Sequence, residues 1–549
     1  MSRLPVAAAA LDPGEGVAAR AELEDPTEIE ASFDDRPPDR TNTNHPPQPS
    51  HMSTDHDRSR LVGLLLFSTM ATYVLIALGT AASTTGAAES CTTWPGCDSA
   101  WTIGPVTDGL ALYVGHRLAA LIAGLALVWT AWTAVRTGVD RVTGAAIGLA
   151  ALLFPVQVAI GATLVGQGSN TARTVHLLLA MTIFAGLLVA LVRTLEAGSP
   201  RDGRANDPSA VAATTENRDP GAVTTDPDAT IDAATSAGTE SSSEPATGSA
   251  GSTSWFERVH RRAWAYVSLT KPRLMWLLCL VAVAGMALAS TAGHAVHLGT
   301  AVATLAGGVL AIGAAGAFNQ VYERDRDERM QRTDDRALVG DRVRARNAYA
   351  FVGFLTLASM VVLVTWVNGL AAILTLVAIV YYAIGYTVVL KPHTKWNTVL
   401  GGGAGAIPAL IGWAAVTGGL DWPAVVLALV IFCWTPAHFY SLAIAYREDY
   451  ARGGFPMLPV VAGDLIARRH IVGYLGATML AVSLLGWIAG LGLFYAIASV
   501  AFGALFLRSV RRQYADPTTA RALRSFYVSN AYLGVVLLAI VVESALAAA

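Results

Sequence analysis

Long apolar runs alternate with short polar connections along most of this chain. Four runs come first, at about 61–82, 110–135, 142–166 and 173–194. A long polar interval follows. Nine more runs then occur at about 273–293, 296–318, 347–366, 369–390, 398–418, 422–445, 470–488, 490–508 and 526–547. Each is close to the roughly 20 residues that cross a bilayer as a helix. The pattern predicts an all-α membrane protein, a four-helix bundle followed by a nine-helix bundle. The join between 470–488 and 490–508 is the least marked, because Gly490 and Gly492 permit a tight turn without demanding one.

The polar intervals divide the chain further. Residues 1–59 are rich in Pro, Asp and Glu and lack an apolar period, so they read as a disordered tail, within which Met52 is an alternative start. No removable signal is expected, because no short apolar stretch with a small-residue cleavage site opens the chain. Residues 196–262 read as a flexible linker, rich up to 254 in Ala, Thr, Ser, Gly, Asp and Glu. The domains expected are therefore the tail, a four-span module over 60–195, the linker, and a nine-span module over 263–549.

Composition agrees. Of 549 residues 53% are hydrophobic and 14% charged, against about 25% charged in soluble domains. Only Lys271, Lys391 and Lys395 are lysine among the basic residues, a bias expected of a GC-rich and halophilic source. The basic residues fall in alternate connections: Arg258 to Lys271, Arg324 to Arg346, Lys391 and Lys395, Arg447 to Arg469, and Arg508 to Arg512. The intervening connections of the second module hold no Lys or Arg. By the positive-inside rule the charged connections, N-terminus and linker are cytoplasmic and the C-terminus is outside, as in a multi-pass protein of the cell membrane. No nucleic-acid partner is expected.

Candidate chemistry lies in two of the charged connections. Asn319, Glu323 and Asp327 are four residues apart, so on a helix they share a face with about 40° of drift per step. Three oxygen-bearing side chains suit magnesium, a hard cation that bridges phosphates. Taken alone, the segment reads first as an ordinary solvated helix end, and only the second acidic stretch tips it toward chemistry. A second acidic stretch, Glu448-Asp449 after His438 and Tyr446, ends another span on the same face. Two carboxylate clusters can hold magnesium on a diphosphate, and Lys271, Arg332, Arg336, Lys391 and Arg452 can bind its free oxygens.

These stretches resemble the UbiA-type intramembrane prenyltransferases, whose first motif reads Asn-x3-Asp-x3-Asp. Ser268-Leu-Thr-Lys-Pro-Arg273, Met330-Gln-Arg-Thr333, Tyr386-Thr-Val-Val-Leu-Lys391, Gly401–Gly418, Pro436-Ala-His-Phe439 and Pro456-Met-Leu-Pro459 are similar to the protohaem IX farnesyltransferase branch. Glu323 stands where that family has Asp, one methylene longer. The resemblance, over roughly 263–549, implies transfer of a farnesyl group from farnesyl diphosphate to a vinyl group of haem B, giving haem O for haem-copper oxidases. It implies that Asn319, Glu323, Asp327 and Asp449 hold magnesium–diphosphate and that Lys271, Arg332 and Lys391 stabilise the leaving charge. His438 and Trp434 are candidates for the haem side, against a packing role. Alternative readings are a quinone or lipid acceptor, or a haem-binding or transport protein. Transporters place coupling charges near the midplane, whereas these acids sit at helix ends.

In the first module, Cys91 and Cys97 flank Trp94 in an outside connection, where a disulfide is expected. His116 and His176 lie near the outer ends of the second and fourth runs, a pairing that suits two axial haem ligands. The block is similar to one half of the haem A synthase family, which has two such halves. That family has Glu three residues before the first histidine; here the residue is Tyr113. The resemblance implies either a half-size synthase acting through a second copy, or a module that binds haem and passes it to a haem A synthase. Fusion through the linker keeps consecutive activities at millimolar-scale effective concentration.

Overall fold

The structure, a computed structural model, describes residues 51–86, 94, 108–165, 169–198, 255–334, 336–340 and 342–548. All regular elements among them are helical. Cys91 and Cys97, the tail before 51 and the interval 199–254 lie outside the described residues.

The first module is four helices: α1 (His51–Thr84), α2 (Asp108–Thr137), α3 (Arg141–Thr163) and α4 (Asn170–Ala197). Asp140 caps α3, its carboxylate accepting from the Val142 and Thr143 N–H groups, and also meets Arg193 of α4. α5 (Trp255–Leu269) comes next, so the expected linker ends earlier than 262. Its residues Ala265 and Leu269 are buried, and that docking orders the helix.

The second module contains α6 (Pro272–Thr291), α7 (Leu298–Tyr322), the short α8 (Arg324–Asp327), α9 (Ala345–Trp366) and α10 (Gly369–Val380). The last continues as a π-helical segment, Tyr381–Leu390, into α11 (Lys391–His393). α12 (Asn397–Thr417), α13 (Trp422–Ala445), α14 (Arg447–Arg452), α15 (Leu458–Ala462), α16 (Asp464–Ala489), α17 (Leu493–Ala515) and α18 (Thr519–Ala548) complete it. Among the described residues 13 helical stretches are long and apolar enough to cross a membrane, at the positions that the apolar runs predict. The join between α16 and α17 is set by a side chain distant in sequence. Gly490 takes φ 68°, and Glu543 of α18 accepts from the Gly492 and Tyr495 N–H groups at 2.5 and 2.8 Å, capping α17.

α12 and α13 lie at the centre, packed on α6, α16 and α18. A single buried core continues from the first module (Leu61, Phe184, Leu191) into the second (Leu475, Val536). α1 packs on α16 and α17, and α4 packs on α16. The two modules therefore form one body.

Candidate active site and a second pocket

The first acidic segment lies where α7 meets α8. Glu323 takes a non-helical conformation (φ −88°, ψ 1°), yet four-residue steps persist. Its N–H donates to the Asn319 carbonyl at 3.0 Å, and the Asp327 N–H donates to the Glu323 carbonyl at 2.8 Å. Asn319, Glu323 and Asp327 therefore share one buried face, both acids 1% exposed, whereas Asp325 is exposed.

A buried carboxylate is costly unless paired, and a cation meets each position. Lys271 Nζ donates to Asn319 Oδ1 at 2.5 Å. Lys391 Nζ donates to both Glu323 oxygens at 2.7 Å. Arg336 Nη1 donates to Asp327 Oδ2 at 2.5 Å. Burial works to raise both carboxyl pKa values, but the outcomes differ. Lys391, Lys271 and Arg336 together hold Glu323 below its ordinary value. At Asp327 burial prevails, with the Glu323 charge adding to it against Arg336, and the pKa is raised. Burial of the Lys271 ammonium, with Arg336 adding to it and Glu323 opposing, lowers that group to about 7.

Local structure aims the two lysines. Lys271 has φ 54°, the left-handed region that costs a non-glycine residue about 1–2 kcal/mol. Pro272 disfavours the right-handed helical alternative at the preceding residue. α7 secures the approach: Gln320 Nε2 donates to the Ser268 and Leu269 carbonyls, and a Cβ at Gly316 would lie 3.3 Å from the Thr270 carbonyl. Lys391 is presented by the π-helical segment, its N–H donating to the Tyr386 carbonyl five residues back. Such wide turns occur frequently at functional sites. Within it Thr387 Oγ1 donates to the Tyr382 carbonyl and accepts from Asn319 Nδ2 at 3.2 Å. The Phe455 ring lies under Lys391, 4.2 Å from Nζ to centroid, a cation–π contact.

The second acidic segment supports the first. Asp449 Oδ1 accepts from the Gln331 N–H at 3.1 Å and Oδ2 from the Arg332 N–H at 3.2 Å, with Arg452 beside it. Asp449 thus anchors the loop after α8 by its main chain. The Arg332 guanidinium lies over the rings of Tyr446 and Tyr450, at 5.2 and 5.8 Å. His438 is sandwiched between Trp434 and Phe526, each 4.3 Å away, and its Nδ1 meets Ser529 Oγ at 2.7 Å. Those contacts join α13 to α18 and are packing contacts.

From Thr270 and Lys271 a cavity extends between α6, α7, α10 and α12, lined by apolar groups such as Leu278, Ala311, Ile379 and Pro408. A charged mouth opening on an apolar chamber suits a molecule with an anionic head and a hydrocarbon tail. Tyr382 also lines it. Tyr382, Thr387 and Phe455 escape sequence reasoning: a π turn has no residue signature, and Phe455 reaches the site only through tertiary packing.

A second cavity lies at the other ends of the helices, lined mostly by the first module. His116 of α2 and His176 of α4 both line it. Each ring is seated on a glycine of a neighbouring helix: a Cβ at Gly79 would be 2.9 Å from His116 Cε1, and one at Gly161 3.0 Å from His176 Cε1. Both Nδ1 atoms are buried without a well-formed hydrogen bond. Arg117 and Arg173 line the same cavity, and the Arg117 guanidinium lies 4.4 Å from the Tyr113 ring centroid.

The fold is that of an intramembrane prenyltransferase carrying a four-helix module. Residues 278–533 match the UbiA prenyltransferase family and 41–185 match the cytochrome oxidase assembly protein family COX15-CtaA. A protohaem IX farnesyltransferase of Halobacterium salinarum is 46% identical over 501 residues, 88% of this chain and 98% of that protein. One from Haloarcula marismortui is 47% identical over 486 residues, 88% and 98%. One from a Nocardioides species is 45% identical over 290 residues, 52% of this chain and 91% of that protein. The chain belongs to the protohaem IX farnesyltransferase family. Among solved structures, a UbiA homolog from Aeropyrum pernix K1 is similar at 20% identity and TM-score 0.42, covering 49% of this chain and 97% of its own. Another, from Archaeoglobus fulgidus and described as bound to GPP and Mg2+, is similar at 15% identity and TM-score 0.39, covering 51% and 99%.

Proposed function

We propose that the pocket at Asn319, Glu323 and Asp327 carries the farnesyl transfer that converts haem B to haem O. The observation that carries this reading is the row of buried acids, each beside a cation, joined to the apolar cavity through Lys271, which lines the cavity and bonds to Asn319. Asp327 Oδ1 is buried without a hydrogen-bond partner, which suits a ligand position. Among the described residues no three His, Cys, Asp or Glu side chains gather closely enough to hold a metal ion by themselves. Magnesium fits the oxygen donors of Asn319, Glu323 and Asp327, with water and diphosphate oxygens as its further ligands. When bound, it neutralises charge developing on the diphosphate.

The chain's own groups do the rest. Lys271, Lys391 and Arg336 exchange their carboxylate or amide partners for diphosphate oxygens, so their charges are already aimed when the leaving group departs. Asp449, through the main chain of Gln331 and Arg332, holds the Arg332 guanidinium at the pocket; a direct metal contact is a further role open to its carboxylate. The cavity beyond Lys271 takes the farnesyl tail and excludes water. The allylic C–O bond breaks and diphosphate leaves. The freed carbon joins the terminal vinyl carbon of haem B, and water adds its hydroxyl to the other vinyl carbon, releasing a proton. His438 is assigned to packing.

In the first module His116 and His176 would hold a bound haem through their imidazoles, and Arg117 and Arg173 of the same cavity would pair with its carboxylates. Two buried imidazoles from different helices lining one cavity support this reading. Tyr113, committed to Arg117, stands where the related family has its Glu, which favours haem binding and handover over haem O oxidation. By the charge pattern the farnesyl site faces the cytoplasm and the histidine pocket faces outside.

Expression in cells lacking haem O synthesis, with mass spectrometry of extracted haems, tests the main reading. Haem O is expected with the native chain and absent with Asp327→Ala at equal membrane abundance. Unchanged haem B with the native chain, or haem O from the variant, overturns it. Separate His116→Ala and His176→Ala variants are expected to alter the haem spectrum, and two unaltered spectra refute that role.

A further inference from the structure

We infer that the histidine pocket is a composite site, completed by Trp487 of the prenyltransferase module, so that the two modules act as one unit. The inference rests on the haem reading of that pocket. Trp487 belongs to α16 and lines the cavity together with His116, His176 and Arg117. A tetrapyrrole held by two imidazoles needs walls as well as ligands, and outer contacts of this kind set how firmly the group is held.

Trp487 is placed there by the packing of α16 and α17 against the first module. Membrane helices gain no hydrophobic drive by associating in lipid, so they rely on close packing at small residues and on polar contacts. Here Leu188 of α4 seats on Gly476 of α16, where a Cβ would come within 2.0 Å of Leu188 Cδ2. Ala77, Ala81 and Ala82 of α1 share a cluster with Ala496 of α17. Thr84 Oγ1 donates to the Leu491 carbonyl at 3.1 Å. Arg469 meets both oxygens of Glu196. Tyr73 of α1 is fully buried, with Gly503 of α17 near its ring. These contacts span the height of α1 and α4, from Glu196 at one end to Thr84 at the other, and they bring Trp487 to the cavity wall.

The test uses the full chain with a protease site placed between 199 and 254, purified with haem in detergent. After cleavage both pieces are expected to co-elute with an unchanged haem spectrum; separation of the pieces overturns the inference. Trp487→Ala is expected to speed transfer of haem to apomyoglobin roughly tenfold, with Trp487→Phe restoring most of the retention. An unchanged transfer rate in Trp487→Ala overturns the composite site while leaving the histidine reading standing. Absence of haem from the uncut native chain refutes the histidine reading itself.

Discussion

At the scale of single residues, charge and length at Glu323 separate cleanly. Its carboxylate neutralises Lys391 in a buried setting, and removing one partner of such a pair leaves the other uncompensated. Glu323→Gln is expected to lower kcat about 100-fold or more, whereas Glu323→Asp, which restores the residue of the related motif, stays within about tenfold of native. Initial rates of haem O formation decide the matter; equal losses would show that side-chain length, not charge, limits the site. Gly308 offers a second test. It lines the apolar cavity eight residues, or about 12 Å, from Gly316 at the mouth, and a Cβ there meets nothing within 4 Å. Gly308→Phe should shorten the chamber without a backbone clash. Its kcat/KM ratio is expected to move toward geranyl over farnesyl diphosphate by about tenfold or more, and an unchanged ratio would place the tail elsewhere.

At the scale of elements, helix ends do the positioning. α5 delivers Lys271, the π-helical segment delivers Lys391, and the α7–α8 junction carries the acids. All three meet through Asn319, which accepts from Lys271 and donates to Thr387. The α16–α17 turn is a comparable case away from the site. Glu543→Ala deprives two main-chain N–H groups at the start of α17 of their acceptor, a loss of about 1–3 kcal/mol. A fall in the thermal midpoint of the detergent-solubilised protein by several degrees is expected, with haem O formation at low temperature retained. The midpoint of the native protein is the comparison, and no fall would show that water replaces the carboxylate.

At the scale of the whole molecule, the continuous core across the modules means that each stabilises the other. Deleting residues 1–198 uncovers the faces of α16 and α17 that α1 and α4 bury. The remaining prenyltransferase is expected to lose activity on heating at a midpoint several degrees lower than the full chain, and equal heat inactivation would show that the interface contributes nothing to stability. The spans were legible beforehand because a bilayer imposes length and hydropathy on each helix independently of its neighbours. So were the charged face and the acidic row, since a four-residue repeat survives even the break at Glu323. Asp449 and His438 were legible as polar groups but not in their contacts: one holds the main chain of Gln331 and Arg332, the other is stacked between Trp434 on its own helix and Phe526, and that main chain and Phe526 lie far off in sequence. The apolar pattern and helix-end charges alone thus determined thirteen helices fit to cross a membrane and a row of acids at one helix end. Only tertiary structure decided which cation faces which acid, that Thr387 and Phe455 belong to the site, and that Trp487 of one module walls the pocket of the other. Those are contacts between distant segments, and no local period encodes them.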